Sequence, residues 1–187
     1  MKKNNTKTLF VIGHAIISKN CCIANDKGTM PKSLKSEKDW ELFQKDLNQS
    51  DLVIIGRKSY ELFYKKERNR LIPTSQIKNY FFQNEKLCFF NPSDISLEKI
   101  INLFSPYPKK IAVVGGQRIY ELVFDQLFYK EFHLSIKINE FLQNGQPIFK
   151  GVNAIEEVKN YMEEKGLRLT DERNLDSETI QCIYTSY

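Results

Sequence analysis

The sequence predicts one mixed α/β domain: a mostly parallel central sheet flanked by helices, with a C-terminal antiparallel hairpin. Three observations predict it. Apolar runs without helical spacing alternate with amphipathic segments, the pattern of parallel strands joined by crossover helices. Two of those runs end in glycine and pass straight into a helix. The tail breaks the rhythm with two segments of alternating polarity around a turn. With 187 residues of which 41% are hydrophobic, the chain can bury one full-sized core and needs no second fold.

Residues 1–8 are expected to be a loose tail and residues 9–187 the domain. The run LFVIGHAII (9–17) suits a central strand covered on both faces. The polar stretch that follows, to residue 35, carries an Asn-Asp-Lys-Gly turn signal and is long enough to line a site. From Ser36, the segment SEKDWELFQKDL sets Trp40, Phe43 and Leu47 at helical spacing behind a Ser-x-x-Asp start, so a helix follows with Trp40 in the core. DLVIIG reads as a second buried strand and RKSYELFYKK as a short helix. RLIPTS and KLCFF read as strands, ISLEKIINLF as a helix, KIAVVGG as a strand, QRIYELVF as a helix and FYKEFHLSIKI as a long strand. LRLTDERN and TIQCIYTSY, around Asn-Leu-Asp-Ser, form the hairpin. There is no internal repeat and no low-complexity segment.

The net charge of +5 comes from Lys and Arg scattered among acids, which argues against a nucleic-acid surface and suits an anionic small molecule. The cysteines at 21, 22, 88 and 182 lack zinc-type spacing, and no metal is expected; they read as reduced thiols of a cytoplasmic protein. No apolar run approaches the roughly 20 residues of a membrane span, and no secretory leader is evident.

Where a buried strand ends in Gly-Gly and a helix begins at once, as in IAVVGGQRIYELV, backbone N–H groups can approach a ligand closely and the helix start favours negative charge. The plainer reading is a sharp turn. IIGRKSYE repeats the arrangement with Gly56 followed by Arg57, Lys58 and Ser59, cations and a hydroxyl suited to phosphate, or else an ordinary solvated helix start. Both ends fall at the carboxyl edge of the sheet, where open α/β sheets bind ligands.

IIGRKSYELF and VVGGQRIYELV, in this order, resemble the two cofactor-binding signatures of the dihydrofolate reductase-like superfamily. SEKDWELF and the Gly-x-Pro-Ile-Phe ending of FHLSIKINEFLQNGQPIF place the resemblance nearest the riboflavin-biosynthesis pyrimidine reductases, the C-terminal domain of bifunctional deaminase-reductases. GTMPKSLKSEKDW lacks the Leu-Pro-Trp loop of dihydrofolate reductases themselves. The resemblance implies NADPH binding and hydride transfer to a heterocyclic small molecule of pyrimidine or pteridine type, with no nucleic acid or membrane partner, and it makes a homodimer an expectation. Arg57, Lys58 and Ser59 would hold the adenosine phosphates. Gly115, Gly116, Gln117, Arg118, Ile119 and Tyr120 would wrap the pyrophosphate and nicotinamide side, across a cis Gly-Gly peptide. Gly56, Ala15, Ile23, Thr74 and Ser75 complete the expected cofactor set, and Ile17 joins the substrate set.

Asp39 either completes the capping box with Ser36 or binds the acceptor ring and relays a proton. Four residues on, Phe43 shares its helix face and could stack on a flat substrate. Asn20 stands where the riboflavin-type pattern has an Asp that would join Asp39 in catalysis. It signals a changed substrate, an NADPH-binding protein without turnover, or only a turn residue. His14 and His133, inside apolar strands, are expected to be packed rather than catalytic, and dihydrofolate reduction is the alternative activity.

Overall fold

The computed structural model describes residues 9–62 and 68–187; the expected tail over residues 1–8 lies outside them. In chain order the elements are β1 (Phe10–Ser18), β2 (Cys22–Ala24), α1 (Glu37–Asn48), β3 (Leu52–Ile55), α2 (Arg57–Leu62), β4 (Arg70–Pro73), β5 (Tyr80–Asn84) and β6 (Leu87–Phe90). Then follow α3 (Leu97–Ile101), β7 (Lys110–Val114), α4 (Gln117–Gln126), β8 (Glu131–Lys137), β9 (Gln146–Pro147), α5 (Ile155–Glu164), β10 (Leu167–Asp176) and β11 (Thr179–Ser186).

Among the described residues, nine strands form one sheet in the order β10-β11-β8-β1-β7-β3-β4-β6-β5. The central strands from β8 to β6 run parallel. The expected hairpin closes one edge by pairing β11 antiparallel to β8. Its turn lies two residues later than the Asn-Leu-Asp-Ser signal, because Asn174 and Asp176 still pair with Ile180 and Thr179.

Strand period sorts the core. On β1, Val11, Ala15 and Ile17 enter the larger core with Ile119, Val123, Phe132, Val158 and Met162, beneath α4 and α5. Ile12 enters a smaller core on the α1 side with Leu47, Val53, Ile55 and Ala112. Full burial of each such aliphatic side chain contributes about 1.5–3 kcal/mol.

The short strands β2 and β9, the edge strand β5 and the helix α5 go beyond the sequence expectation. The edge strand β5 shows Phe81 57% exposed, so its aromatic run carried no core signal. α5 starts after Ala154, without the usual polar cap; Glu157 supplies the cap by accepting from the N–H groups of Asn153 (2.7 Å) and Ala154 (3.2 Å).

Trp40 corrects its expected place: it is 52% exposed. The inward face of α1 is Asp39, Phe43, Asp46 and Leu47, a stripe that starts one residue earlier than the apolar pattern suggests. Trp40 is left on the rim, 5.5 Å from the Phe43 ring.

Candidate functional site

The two glycine turns meet because β3 and β7 are neighbours, with Ile55 opposite Val114. Gly56 N–H donates to the Gly115 carbonyl at 3.3 Å. A side chain on Gly56 would press on that carbonyl at 3.2 Å and on Ile119. The Gly115-Gly116 peptide is cis, as the resemblance implied.

The two glycines have different reasons. A Cβ on Gly115 would overlap the Tyr120 ring, so this position is closed by the protein itself. A Cβ on Gly116 would meet only Ile23, at 3.7 Å, an ordinary contact. Gly116 is also the N-cap of α4 and offers no side chain to its first-turn N–H groups. Ile119 N–H donates to the Gly116 carbonyl at 2.8 Å, so the Gln117 and Arg118 N–H groups, with the helix dipole, are the donors that no cap side chain takes up and that suit an anionic ligand.

Around this edge, Arg57, Lys58 and Arg118 are exposed, while Ser59 and Gln117 are half-buried. Arg57 holds Glu61 at 3.1 Å, a surface pair that an incoming phosphate can displace. The long loop folds over the same edge: Ile23 covers Gly116, and Gly28 lies close to the Lys58 ammonium. Thr74 follows the end of β4, half-buried, its hydroxyl accepting from Gln76 N–H at 3.2 Å, and Ser75 is exposed beside it.

Tyr120, expected among the cofactor residues, is instead turned inward. It is 4% exposed, and its hydroxyl donates to the His14 carbonyl at 2.7 Å. Ala15 and Ile17 are buried as well. Ile17 sits in the core opposite α1 and so points away from Asp39 and Phe43, because residues 15 and 17 share one face of β1 and residue 14 takes the other.

Asp39 is buried, and its role as a reciprocal cap is overturned. Ser36 Oγ accepts from Asp39 N–H at 3.4 Å, but the carboxylate turns toward the sheet. There its Oδ1 accepts from His14 Nε2–H at 3.1 Å and from the Ser135 hydroxyl. Because a carboxylate only accepts, this contact puts the His14 proton on Nε2. Gln181 donates to Ser135 Oγ at 3.2 Å and Arg173 in turn donates to Gln181, so the donor side is held in place. Both described bonds enter Oδ1 and leave Oδ2 for a ligand. Phe43 packs at 5.1 Å against the His14 ring.

Asn20 is a clasp. Its carbonyl oxygen accepts from Ser18 Oγ (2.7 Å) and Leu142 N–H (3.0 Å), and its amide donates to the Leu142 carbonyl (3.0 Å). An Asp could accept from the backbone here but could not donate to it.

Sequence reasoning set aside His14 and His133 and did not reach Ser135 or Asp46. β8 reads Glu-Phe-His-Leu-Ser-Ile-Lys, and its polar residues all fall on the α1 side, where Asp39 and Asp46 at i and i+7 point down. That joint pattern was the available signal. Burial alone would lower the His14 pKa, yet the Asp39 and Asp46 carboxylates raise it above its ordinary value. For Asp46, burial pushes upward, but the facing imidazoles of His133 and His14 hold the carboxyl below the usual range.

All four cysteines are free and buried. No helix among the described residues is long and apolar enough to cross a membrane.

No curated protein sequence matches the chain. Among solved structures, RibD of Acinetobacter baumannii superposes with a TM-score of 0.71 at 12% identity, over 97% of this chain and 59% of that one. The Thermotoga maritima diaminohydroxyphosphoribosylaminopyrimidine deaminase/5-amino-6-(5-phosphoribosylamino)uracil reductase gives 0.66 at 15%, over 97% and 57%. Dihydrofolate reductase from Enterococcus faecalis, complexed with NADP(H) and RAB-propyl, gives 0.63 at 12%, over 95% and 96%. The chain thus spans under two thirds of the two deaminase-reductase chains and nearly all of the dihydrofolate reductase. These likenesses show the fold, and the dihydrofolate reductase family pattern matches residues 8–164, most of the sequence. The chain belongs to the dihydrofolate reductase family and shares its fold with the riboflavin-pathway reductases.

Proposed function

We propose that the chain is an NADPH-dependent reductase of a pyrimidine- or pteridine-type ring, most like the riboflavin-pathway 5-amino-6-(5-phosphoribosylamino)uracil reductase. The observation that carries this reading is Asp39. A buried carboxylate fixed through one oxygen by His14 and Ser135, with the other oxygen available, is a device for holding a ring N–H and its proton. The half-buried Phe43 offers its ring beside it.

The residues around the glycine turns fit the dinucleotide. The α4 start and the Gly116 backbone would bind its pyrophosphate, and Arg57, Lys58 and Ser59 its further phosphate. NADPH, when bound, supplies the hydride. The chain's own part is to orient the acceptor ring on Asp39 and Phe43 and to relay a proton, taken up from water at Asp39 Oδ2, to the ring nitrogen. Asn20 serves in this reading as a loop clasp and not as a catalytic group.

Dihydrofolate is the second acceptor to consider, favoured by the near-full-length superposition on the Enterococcus faecalis enzyme. The test begins with an NADPH titration followed by the fluorescence of Trp40, the single tryptophan. NADPH absorbance is then followed with the ribosylamino-pyrimidine and with dihydrofolate. Oxidation with the first supports the leading reading and oxidation with dihydrofolate alone the second. Tight binding without oxidation would leave a cofactor-binding protein without turnover, and absence of binding would sink the NADPH assignment.

A further inference from the structure

Under the second half of α1 lies a polar cluster that shares only His14 with the reductase reading. His14 on β1 and His133 on β8 are register partners, and Asp46 descends from α1 between them. His14 Nδ1 lies 3.5 Å and His133 Nδ1 3.2 Å from the same oxygen, Asp46 Oδ2. One ligand atom from each of the three residues falls within 4.8 Å of the others. Both Nδ1 atoms are buried and lack a partner in hydrogen-bond geometry.

The far nitrogen of each ring meets a carboxylate: His14 Nε2 on Asp39 Oδ1 at 3.1 Å and His133 Nε2 on Glu131 Oε2 at 3.2 Å. With the proton on Nε2, each Nδ1 presents a lone pair. Two lone pairs and an anionic oxygen then converge on one point, an arrangement that repels itself unless a proton or a metal ion stands there.

We propose that His14 Nδ1, His133 Nδ1 and Asp46 Oδ2 bind a divalent first-row transition-metal ion, with water completing the coordination. Ligand bonds of about 2.1 Å in a tetrahedral site set the ligand atoms ~3.4 Å apart, close to the two observed separations. The backing carboxylates, Asp39 and Glu131, are the partners that metal-bound imidazoles generally have. Two imidazoles and one carboxylate suit Zn²⁺ or Fe²⁺ far better than Mg²⁺ or Ca²⁺. A pocket of about 320 Å³ borders the cluster at Asp46, Glu131 and His133, with Lys45, Lys110 and Arg173 also on its wall. Lys110, 3.9 Å from Asp46 Oδ1, occupies the other oxygen of that carboxylate and leaves Oδ2 to the ion.

The site joins the candidate reductase centre through one ring. An ion on His14 Nδ1 would fix the proton on Nε2, the atom that donates to Asp39, and so would act as a positioning element for the acid. Ion binding itself is read without cofactor or acceptor, so it stands or falls apart from the reductase reading.

The test uses the full chain after chelator treatment. Titration with Zn²⁺ should show one ion per chain, and Co²⁺ should give the visible d–d absorption of a low-coordinate nitrogen and oxygen site. Asp46→Asn and His133→Gln should weaken binding at least 100-fold, and Glu131→Gln about 10- to 100-fold, with circular dichroism unchanged. If a variant does not fold, the zinc anomalous signal in crystals of the unaltered chain decides, with the peak expected between the two Nδ1 atoms. Failure of the unaltered chain to bind saturably, undiminished binding in folded variants, sulfur-to-cobalt charge transfer or a peak elsewhere would each overturn the proposal.

Discussion

Asp39→Asn removes the charge of the candidate acid and keeps its shape. Both described bonds enter Oδ1, so an Asn holding its carbonyl oxygen in that place still accepts from His14 and Ser135. Two charge-assisted bonds worth about 1.5–3 kcal/mol each become neutral ones worth about 0.5–1.5. The expected loss of stability is about 2–3 kcal/mol, a Tm lower by roughly 4–12 °C for a chain of this size. The effect on chemistry should be much larger. Where Oδ2 was, the variant presents an NH₂ that neither accepts nor delivers the ring proton, and general acid–base catalysis contributes about 10²–10⁴. At 1.36 kcal/mol per decade, the barrier rises by about 2.7–5.4 kcal/mol. The assay is single-turnover NADPH absorbance loss with the accepted substrate, beside the NADPH Kd from Trp40 fluorescence. Turnover within about threefold of the unaltered enzyme would refute a chemical role for Asp39. A parallel collapse of NADPH affinity would show that the cluster shapes the cofactor cleft instead.

Arg57→Ala should weaken NADPH about 10- to 100-fold and NADH little, since only the former brings the extra phosphate; equal weakening of both, by fluorescence titration, would refute the contact. The two glycines should separate. Gly115→Ala should destabilise the fold through its overlap with Tyr120, by about 1–3 kcal/mol in urea titration, whereas Gly116→Ala should fold normally and lose NADPH binding, and retained binding there would make that glycine a turn device only. Asn20→Asp should destabilise by about 1–3 kcal/mol in urea titration, because the Leu142 carbonyl loses its donor, and should not raise turnover; a gain in turnover would restore a catalytic role at that position. Burial pushes the Cys21 and Cys88 thiols up to about 12 and Cys182 to about 11, so native protein at pH 8 should react with a thiol reagent far more slowly than urea-unfolded protein; rapid labelling would show that the core opens.

The parallel frame was legible because its signals are local: apolar runs closed by Gly56 or by Gly115 and Gly116, and the Ser36 cap before α1. What escaped is what depends on partners. Trp40 looked like core because hydrophobicity alone phases a helix toward its apolar residues. The sheet beneath α1 instead presents His14, His133 and Ser135, and it draws the face carrying Asp39 and Asp46 inward. His14 and His133 lie far apart in sequence and meet only through the β1–β8 register. Tyr120 matched a signature position, yet which way it points is set by the absent side chain at Gly115.

Tyr120 has a wider consequence. Its ring fills the space beside Gly115 while its hydroxyl holds the His14 carbonyl, and the His14 ring holds Asp39. The Gly115 turn, proposed for phosphate, and Asp39, the proposed acid, thus hang from one strut. Residues 115, 120, 14 and 39 are linked by direct contacts, so a substitution at one is transmitted to the position of the next. The loop over residues 19–35 lies outside this chain of contacts, so it can be altered without moving the spacing between Gly115 and Asp39.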